Sequence, residues 1–143
     1  MNKQECIDYI KSKGGIKTTQ GWNVPNHVHL SNLKLTEIPI KFNVVNGGFW
    51  CGNNRLVSLK NSPIIVKGNF CCDNNKLTSL KYYPKEIEGY FYCYNNNLTS
   101  LKYLPRILKY LDCDKGTFIG KDYYKLLLDE KVITPEEYLL KIL

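Results

Sequence analysis

Cysteine has the widest chemistry of any residue type in this chain, because a thiolate can bind zinc, form a disulfide or attack an electrophile. The chain has six cysteines among its 143 residues. Four recur at nearly equal spacing, at Cys51, Cys72, Cys93 and Cys113. A zinc site needs ligands that converge tetrahedrally, whereas one thiol per repeat gives a straight column. The spacing therefore predicts reduced, buried cysteines that pack as small apolar side chains, with a metal site or disulfides as the less favoured alternatives.

Candidate nucleophiles and general bases are few. His27 and His29 are the two histidines of the chain, and we expect them on one face of one strand, without a serine or cysteine in a nucleophile motif. Cys71 adjoins Cys72 and should point to the opposite, outer side of a strand, so it is the one thiol we expect to be accessible. No glycine loop of the phosphate-binding type occurs. The sequence predicts a protein that is not an enzyme and holds no cofactor or metal.

The regular cysteines belong to a longer repeat. Residues 89–102 have two near copies earlier in the chain, each shifted by 21 residues. The copies share one pattern, seen at Phe70, Cys72, Asn75, Leu77 and Leu80. A fixed period of this size is typical of a solenoid, in which one repeat forms one coil and buries its apolar face only against its neighbours.

The repeated positions each have a physical explanation. Phenylalanine and cysteine alternate with variable residues, so in a strand they face the core together. An asparagine follows in each coil and can satisfy backbone groups where the chain leaves the strand. A glycine stands two residues before each phenylalanine, which indicates an inserted residue and a bulge at the strand entry. These positions are Asn54, Asn75 and Asn96, and Gly47, Gly68 and Gly89.

The pattern formed by these residues, L-x-L-x-x-N-x-L-x-x-L, resembles the leucine-rich repeat, and a degenerate first copy begins at Val28. The resemblance covers about residues 25–118. It implies an α/β repeat solenoid with a parallel β-sheet of about five strands on the concave face. The return segments are short and carry proline, so we expect an extended convex side without helices.

The repeats also resemble compact repeats of bacterial type in secreted effectors of pathogens, and small repeat proteins predicted in tailed bacteriophages and AT-rich bacteria. This resemblance implies a protein that blocks a host or defence protein by occupying it. Identity of the partner does not follow from the sequence.

Helices are expected at both ends. Residues 2–13 have an apolar face and a capping box formed by Asn2 and Glu5. Residues 122–131 have a second apolar face, and Thr134 followed by Pro135 begins a third helix. Residues 126–143 resemble the short C-terminal helical hairpin of many bacterial proteins. We predict one domain over residues 1–143, with an N-terminal helical cap at 1–24, repeats at 25–118 and a C-terminal cap at 119–143.

The residues between the inward-facing ones should form three columns on the concave face. The columns are His27, Gly48, Asn69, Tyr90 and Tyr110; His29, Trp50, Cys71, Tyr92 and Asp112; and Ser31, Gly52, Asp73, Tyr94 and Asp114. Trp and Tyr on a rigid sheet offer a large area at little cost in entropy. We therefore expect this face to bind a partner protein, with Trp50, Tyr92 and Tyr94 as anchors.

Basic residues form two further columns, which favour a different function. They are Lys34, Arg55 and Lys76, and Lys60, Lys81 and Lys102. With a formal net charge of +7, they leave nucleic-acid binding as one alternative, although the aspartates of the aromatic face disfavour an anionic strand there. An assembly subunit that dimerises through the C-terminal hairpin is another. We expect a monomer or weak homodimer.

The sequence has no apolar run of about 18 residues and begins with a polar segment. We therefore expect neither a membrane span nor a secretory signal. The expected location is the cytoplasm of the producing or infected bacterial cell.

Overall fold

The structure, a computed structural model, describes residues 1–105 and 108–143, so residues 106 and 107 of the predicted repeat region lie outside the described part. Between residues 21 and 92, consecutive strands of the chain lie alternately in two sheets, which makes the chain coil. The elements are α1 (Lys3–Ser12), β1 (Ile16–Thr18), β2 (Gly21–Val24), β3 (Val28–His29), β4 (Phe42–Val45), β5 (Phe49–Trp50), β6 (Ile65–Val66), β7 (Phe70–Cys71), β8 (Glu86–Ile87), β9 (Phe91–Tyr92), β10 (Tyr110–Cys113), β11 (Gly116–Ile119), α2 (Lys121–Asp129) and α3 (Pro135–Ile142).

The first sheet, called the front sheet below, has the strand order β11-β10-β9-β7-β5-β3. Strands β3, β5, β7, β9 and β10 are parallel, and β11 pairs antiparallel with β10. The predicted solenoid of stacked coils with a parallel sheet is therefore confirmed. The added strand β11 was not predicted.

The second sheet, called the back sheet, has the order β1-β2-β4-β6-β8. We expected an extended return side, and the structure joins its extended segments into short parallel strands, with Ile65 opposite both Val44 and Glu86. Stacked extended segments pair because buried backbone N–H and C=O groups need partners. Residues 16–24, expected within a helical cap, instead form the β1–β2 hairpin, whose second strand pairs with β4.

The core lies between the two sheets and is built from the repeated side chains. The rings of Phe49 and Phe70 stack at 5.8 Å between centroids, and those of Phe70 and Phe91 follow at 5.5 Å. The thiols of the regular cysteine column are free and buried, as predicted. Burial of a Phe side chain contributes about 1.5–3 kcal/mol, so each coil stabilises its neighbours mainly through this column.

The asparagine column has the predicted role. Asn75 donates from Nδ2 to the carbonyl oxygens of Cys51 at 3.0 Å and Cys72 at 3.1 Å. Its Oδ1 accepts from the backbone N–H of Leu56 at 2.9 Å. The equivalent asparagines in the adjacent coils repeat these contacts. Each asparagine thus joins two coils by pairing backbone groups of both.

The repeated glycines are explained by close stacking, and the bulge that we predicted at these positions is not formed. Strands on both sides of Gly68 pair without a register shift. A Cβ atom on Gly68 would lie 2.7 Å from the backbone nitrogen of Gly48. The N–H of Gly68 donates to Gly47 O, and that of Gly89 donates to Gly68 O, both at 3.1 Å. Only glycine allows successive coils to approach this closely.

Helices cover both ends, as predicted. The capping box of Asn2 and Glu5 begins α1, whose Cys6 and Ile10 are fully buried. At the other end Tyr123 and Leu127 of α2 are fully buried, and Thr134 and Glu137 form the capping box of α3. Within the described residues, every helix is too short or too polar to cross a lipid bilayer.

Candidate functional site

The outer face of the front sheet carries the three predicted columns. Strand pairing places His29, Trp50, Cys71, Tyr92 and Asp112 directly opposite one another across five parallel strands. Because side chains at paired positions of a sheet point to the same side, these five share one face. The columns on either side follow from the same register.

An aromatic cluster lies at the N-terminal end of this face and consists of His27, His29 and Trp50. The rings of His29 and Trp50 are parallel, with centroids 4.4 Å apart, and His27 meets Trp50 edge-on at 5.1 Å. His27 Nδ1 accepts a hydrogen bond from the backbone N–H of Gly48 at 2.9 Å, so the neutral ring carries its proton on Nε2. Tyr9 of α1 contacts the same strand, since its hydroxyl accepts from the N–H of His29.

A second cluster, the tyrosine cluster, lies toward the C-terminal end and consists of Tyr90, Tyr92 and Tyr110. The ring of Tyr110 lies 4.8 Å from that of Tyr90 and 5.6 Å from that of Tyr92. Tyr90 is 46% exposed, and the other two rings are partly exposed. Rings packed against one another hold their positions before any partner arrives, which lowers the entropy cost of binding.

Cys71 lies on the predicted face but is not accessible, so the expectation of an exposed thiol is wrong. Its side chain is 8% exposed. The residues paired with it are Trp50 and Tyr92, and their large side chains flank the small thiol on both sides. Burial and then the charge of Asp73 raise the pKa of Cys71 to about 12. A neutral, covered thiol is a poor nucleophile.

The folded chain is therefore expected to resist thiol reagents. At pH 8 a maleimide should modify Cys71 at least about 100-fold more slowly than an unfolded thiol, because both access and thiolate are missing. The measurement is mass spectrometry of the native protein over time, with the denatured chain as the control in which all six cysteines react. Rapid modification of one native thiol that Cys71→Ser abolishes would contradict this.

Three aspartates complete the face. Asp73 is buried and accepts from Asn74 Nδ2 at 2.6 Å. Asp112 is partly exposed and accepts from Thr117 Oγ1 at 3.3 Å. Asp114 is exposed and accepts from the backbone N–H groups of residues 95 and 96. These hydrogen-bond donors are neutral, so they bring no positive charge to the three carboxylates.

The charge of these aspartates affects the pKa of the tyrosines beside them. The pKa of Tyr94 is raised, first by the charge of Asp73 and then by burial. The pKa of Tyr92 is raised by burial first, with Tyr110 and Asp112 among the further causes. The C-terminal half of the face is therefore a region of negative potential.

Strand β11 extends the face beyond the predicted columns. Thr117 pairs with Asp112 and Ile119 with Tyr110, so both stand at the edge of the outer face, and Ile119 is exposed. The sequence analysis missed them because the repeat ends before β11. The alternation of residues 117–119, shortly after the turn at residues 114 and 115, is the signal that could have identified this strand.

The predicted basic columns lie away from this face and are exposed. Backbone N–H groups of Arg55 and Lys76 donate to the preceding coil at Leu35 and Leu56, which aligns Lys34, Arg55 and Lys76 from coil to coil. In the other column, which begins at Lys60, Lys81 and Lys102 lie over neighbouring tyrosine rings, with Nζ 5.0 and 5.7 Å from the centroids of Tyr82 and Tyr103. Ammonium groups held over exposed rings keep most of their hydration.

Metal binding has no support in the part of the chain that the structure describes, where His, Cys, Asp and Glu form no group of three or more that could hold an ion. The cysteine column contributes one buried thiol per coil, and the two histidines are held by Trp50 and by the backbone at Gly48.

The fold and this face define a class of protein: a β-solenoid of short repeats, with helices at its ends and a sheet face lined by aromatic residues. Comparison of the chain with models of known protein families, with curated proteins and with solved structures finds no match. Function has to be inferred from the chemistry of the face.

Proposed function

We propose that this chain is a leucine-rich-repeat protein that acts as a noncatalytic binding module and docks a partner protein on the outer face of its front sheet. The observation that carries this proposal is the alignment of His29, Trp50 and Tyr92 in one column of paired residues, in which Cys71 lies between Trp50 and Tyr92. Parallel strands joined by backbone hydrogen bonds hold these side chains rigidly. Partly exposed Trp and Tyr in such a setting are typical of interaction hot spots.

The proposal includes inhibition of the partner. The repeat sequence resembles the repeats of bacterial effectors and bacteriophage proteins. A rigid, noncatalytic binding face can inhibit its partner by covering part of the partner's surface. The partner is then a host or defence protein whose activity falls on binding. A partner that binds this face and keeps its full activity would contradict the inhibitory part alone.

The size of the face limits its affinity. Five strands about 4.8 Å apart span about 20 Å, and the columns cover a few hundred square ångströms. A standard interface buries about 800 Å² per partner. A tight complex therefore also needs surface next to the columns, and Ile119 of β11 at one edge and Tyr9 of α1 at the other are available for it.

The test is capture of a partner from nuclease-treated bacterial lysate by the immobilised chain, followed by affinity measurement with the purified partner. Trp50→Ala/Tyr92→Ala is expected to weaken binding at least about 100-fold, because hot-spot truncations cost about 2 kcal/mol or more each. Tyr82→Ala/Tyr103→Ala is the matched control, since it removes two exposed rings elsewhere, and it should change affinity less than about threefold. Equal binding by all three chains would contradict the proposal.

Nucleic-acid binding by the basic columns is a second candidate, supported by their exposure and alignment. It predicts capture that requires intact nucleic acid, falls steeply with salt and is lost when Lys60, Lys81 and Lys102 are replaced by glutamate. The aromatic double substitution would leave such binding unchanged.

Assembly through the C-terminal hairpin is a third candidate, supported by apolar residues of α3 that face solvent. Leu139 and Leu140 are exposed, the latter at 79%, and no residue of α3 is buried. This candidate predicts a dimer in light scattering that disappears when Leu139 and Leu140 are replaced by serine. It leaves the aromatic face free, so it is compatible with partner binding.

A further inference from the structure

Charge is distributed unevenly between the binding face and the rest of the molecule. The chain has 20 Lys and Arg residues against 13 Asp and Glu residues. None of the positions in the three outer columns is Lys or Arg, whereas three of them are aspartates. A basic protein thus presents an acidic face, and the charge of the whole molecule does not predict what this face attracts.

The aspartates lie among the aromatic rings of the C-terminal half. Asp112 is paired directly with Tyr92 and stands two residues after Tyr110 on the same strand face. Asp73 and Tyr94 stand two residues beyond the paired Cys71 and Tyr92, so they are neighbours in one column. Carboxylates and tyrosine side chains are therefore adjacent over three successive coils, as in sites that hold organic cations.

Neutralisation of these charges within the chain is incomplete. Among the ion pairs of residues 1–105 and 108–143, none includes Asp73, Asp112 or Asp114. Asp112 has one long hydrogen bond, from Thr117, and is partly exposed, so its carboxylate can accept further hydrogen bonds. A cation that reaches this carboxylate gains a charge-assisted hydrogen bond and contact with the adjoining tyrosine rings.

We propose that the partner segment bound by this face is basic, with a Lys or Arg side chain whose charged group lies against the tyrosine cluster beside Tyr92 and Tyr110 and is bound by the carboxylate of Asp112. This inference rests on the proposed function and names the chemistry of its partner. The cluster of His27, His29 and Trp50 at the other end carries no carboxylate and takes neutral or apolar side chains of the same segment.

The geometry favours a side chain of a protein over other cationic ligands. The aspartates and the aromatic cluster belong to one continuous sheet surface, which the paired strands extend over five coils. An extended peptide can place one basic residue at Asp112 and further side chains toward Trp50. A small free cation would use only one end of this surface.

The experiment is selection of random peptides of about twelve residues, displayed on phage, against the full immobilised chain. Peptides that also bind a Tyr92→Ala chain are removed by counter-selection. The expected survivors contain at least one Lys or Arg, and synthetic copies lose at least about tenfold in affinity on the Asp112→Asn chain, since the variant replaces a charge-assisted hydrogen bond with a weaker neutral one.

Glu37→Gln is the matched control, because it removes the same charge from an exposed carboxylate that lies outside the columns. It should leave the affinity of these peptides unchanged within about twofold. Replacing the peptide's Arg by citrulline should cost as much as Asp112→Asn, and the two changes together should cost little more than either alone. Asn has the shape of Asp and still accepts from Thr117, so the variant keeps the fold.

Two results would overturn the inference, and they differ in what they say of the proposed function. Survivors that depend on Tyr92 but are acidic or uncharged would exclude a basic partner while supporting the face as a binding surface. Failure to find any peptide that depends on Tyr92 would count against both.

Discussion

Raising the pH from 8 to 10 is expected to remove much of the stability of the folded chain. Burial raises the pKa of every thiol, to about 11 for Cys6 and about 12 for Cys71. The other four thiols whose pKa is raised chiefly by burial are Cys51, Cys72, Cys93 and Cys113. In the unfolded chain each ionises near the ordinary value of 9.0, so only the unfolded state gains thiolates as the pH passes 9.

The loss of stability with rising pH follows from the linkage between proton binding and folding. A raised pKa in the folded state means that the stabilising contribution is complete below the unfolded pKa and is lost as the pH rises through the folded value. At pH 10 each thiol that is ionised only in the unfolded chain lowers the free energy of unfolding by about 1 kcal/mol. Five such thiols, all except Cys113, lower it by roughly 5–7 kcal/mol, against a typical total of about 5–15 kcal/mol.

The measurement is urea unfolding, followed by circular dichroism, at pH 8 and pH 10 in the presence of a reducing agent. Cys72→Ala provides the comparison. It should be less stable than the wild type at pH 8 because it leaves a cavity, yet lose about 1 kcal/mol less between pH 8 and pH 10 because it has one thiol fewer. Equal losses in both proteins, or no loss in either, would show that thiol burial does not govern alkaline stability.

Asn75→Leu is expected to destabilise the fold more than any surface substitution. It removes the donor to the carbonyl oxygens of Cys51 and Cys72 and the acceptor for the N–H of Leu56. Asn75 is buried, so water does not replace these partners. Each unpaired buried group costs about 1–3 kcal/mol, which gives about 3–9 kcal/mol for the three groups.

Asn97→Leu is the matched control for this substitution, because Asn97 is an exposed asparagine one residue after the last member of the column. Its change in the free energy of unfolding should stay within about 0.5 kcal/mol. Both variants can be compared with the wild type by urea unfolding at pH 7. A loss below about 1 kcal/mol for Asn75→Leu would mean that the coils do not depend on the asparagine column.

Residues with a role in every coil could be predicted from the sequence. Alternation of Phe and Cys predicted the front strands, and the structure places Phe49, Phe70 and Phe91 opposite one another inside the core. Chemistry of the side chain predicted the asparagine contacts, because one amide has both donors and an acceptor. Capping boxes predicted both terminal helices, since their hydrogen bonds are local.

Features that depend on contacts between coils were predicted less well. The back sheet forms because extended segments of successive coils meet, and β11 forms because it follows a turn onto the edge of β10. The glycines were assigned a bulge, whereas distance between stacked backbones explains them. In each case the deciding atoms belong to residues distant in sequence.

The candidate site shows the same division. Its columns followed from period and alternation, so the alignment of Trp50, Cys71 and Tyr92 was accessible from the sequence. The burial of Cys71 could not be predicted from the sequence, because it depends on the size of the side chains packed on both sides of the thiol. Association of the rings into two clusters likewise depends on side-chain conformations. The partner-binding role remains a prediction that the variants above test.

The sequence by itself determined that this protein is a solenoid, which residues face inward and which positions share a column, because a repeated local pattern gives each coil the same conformation. Only the tertiary structure decided which side chains of the outer face are exposed, how they cluster and which of its carboxylates have no ion pair within residues 1–105 and 108–143. Exposure and electrostatic potential are sums over neighbours from several coils, and no single repeat contains them.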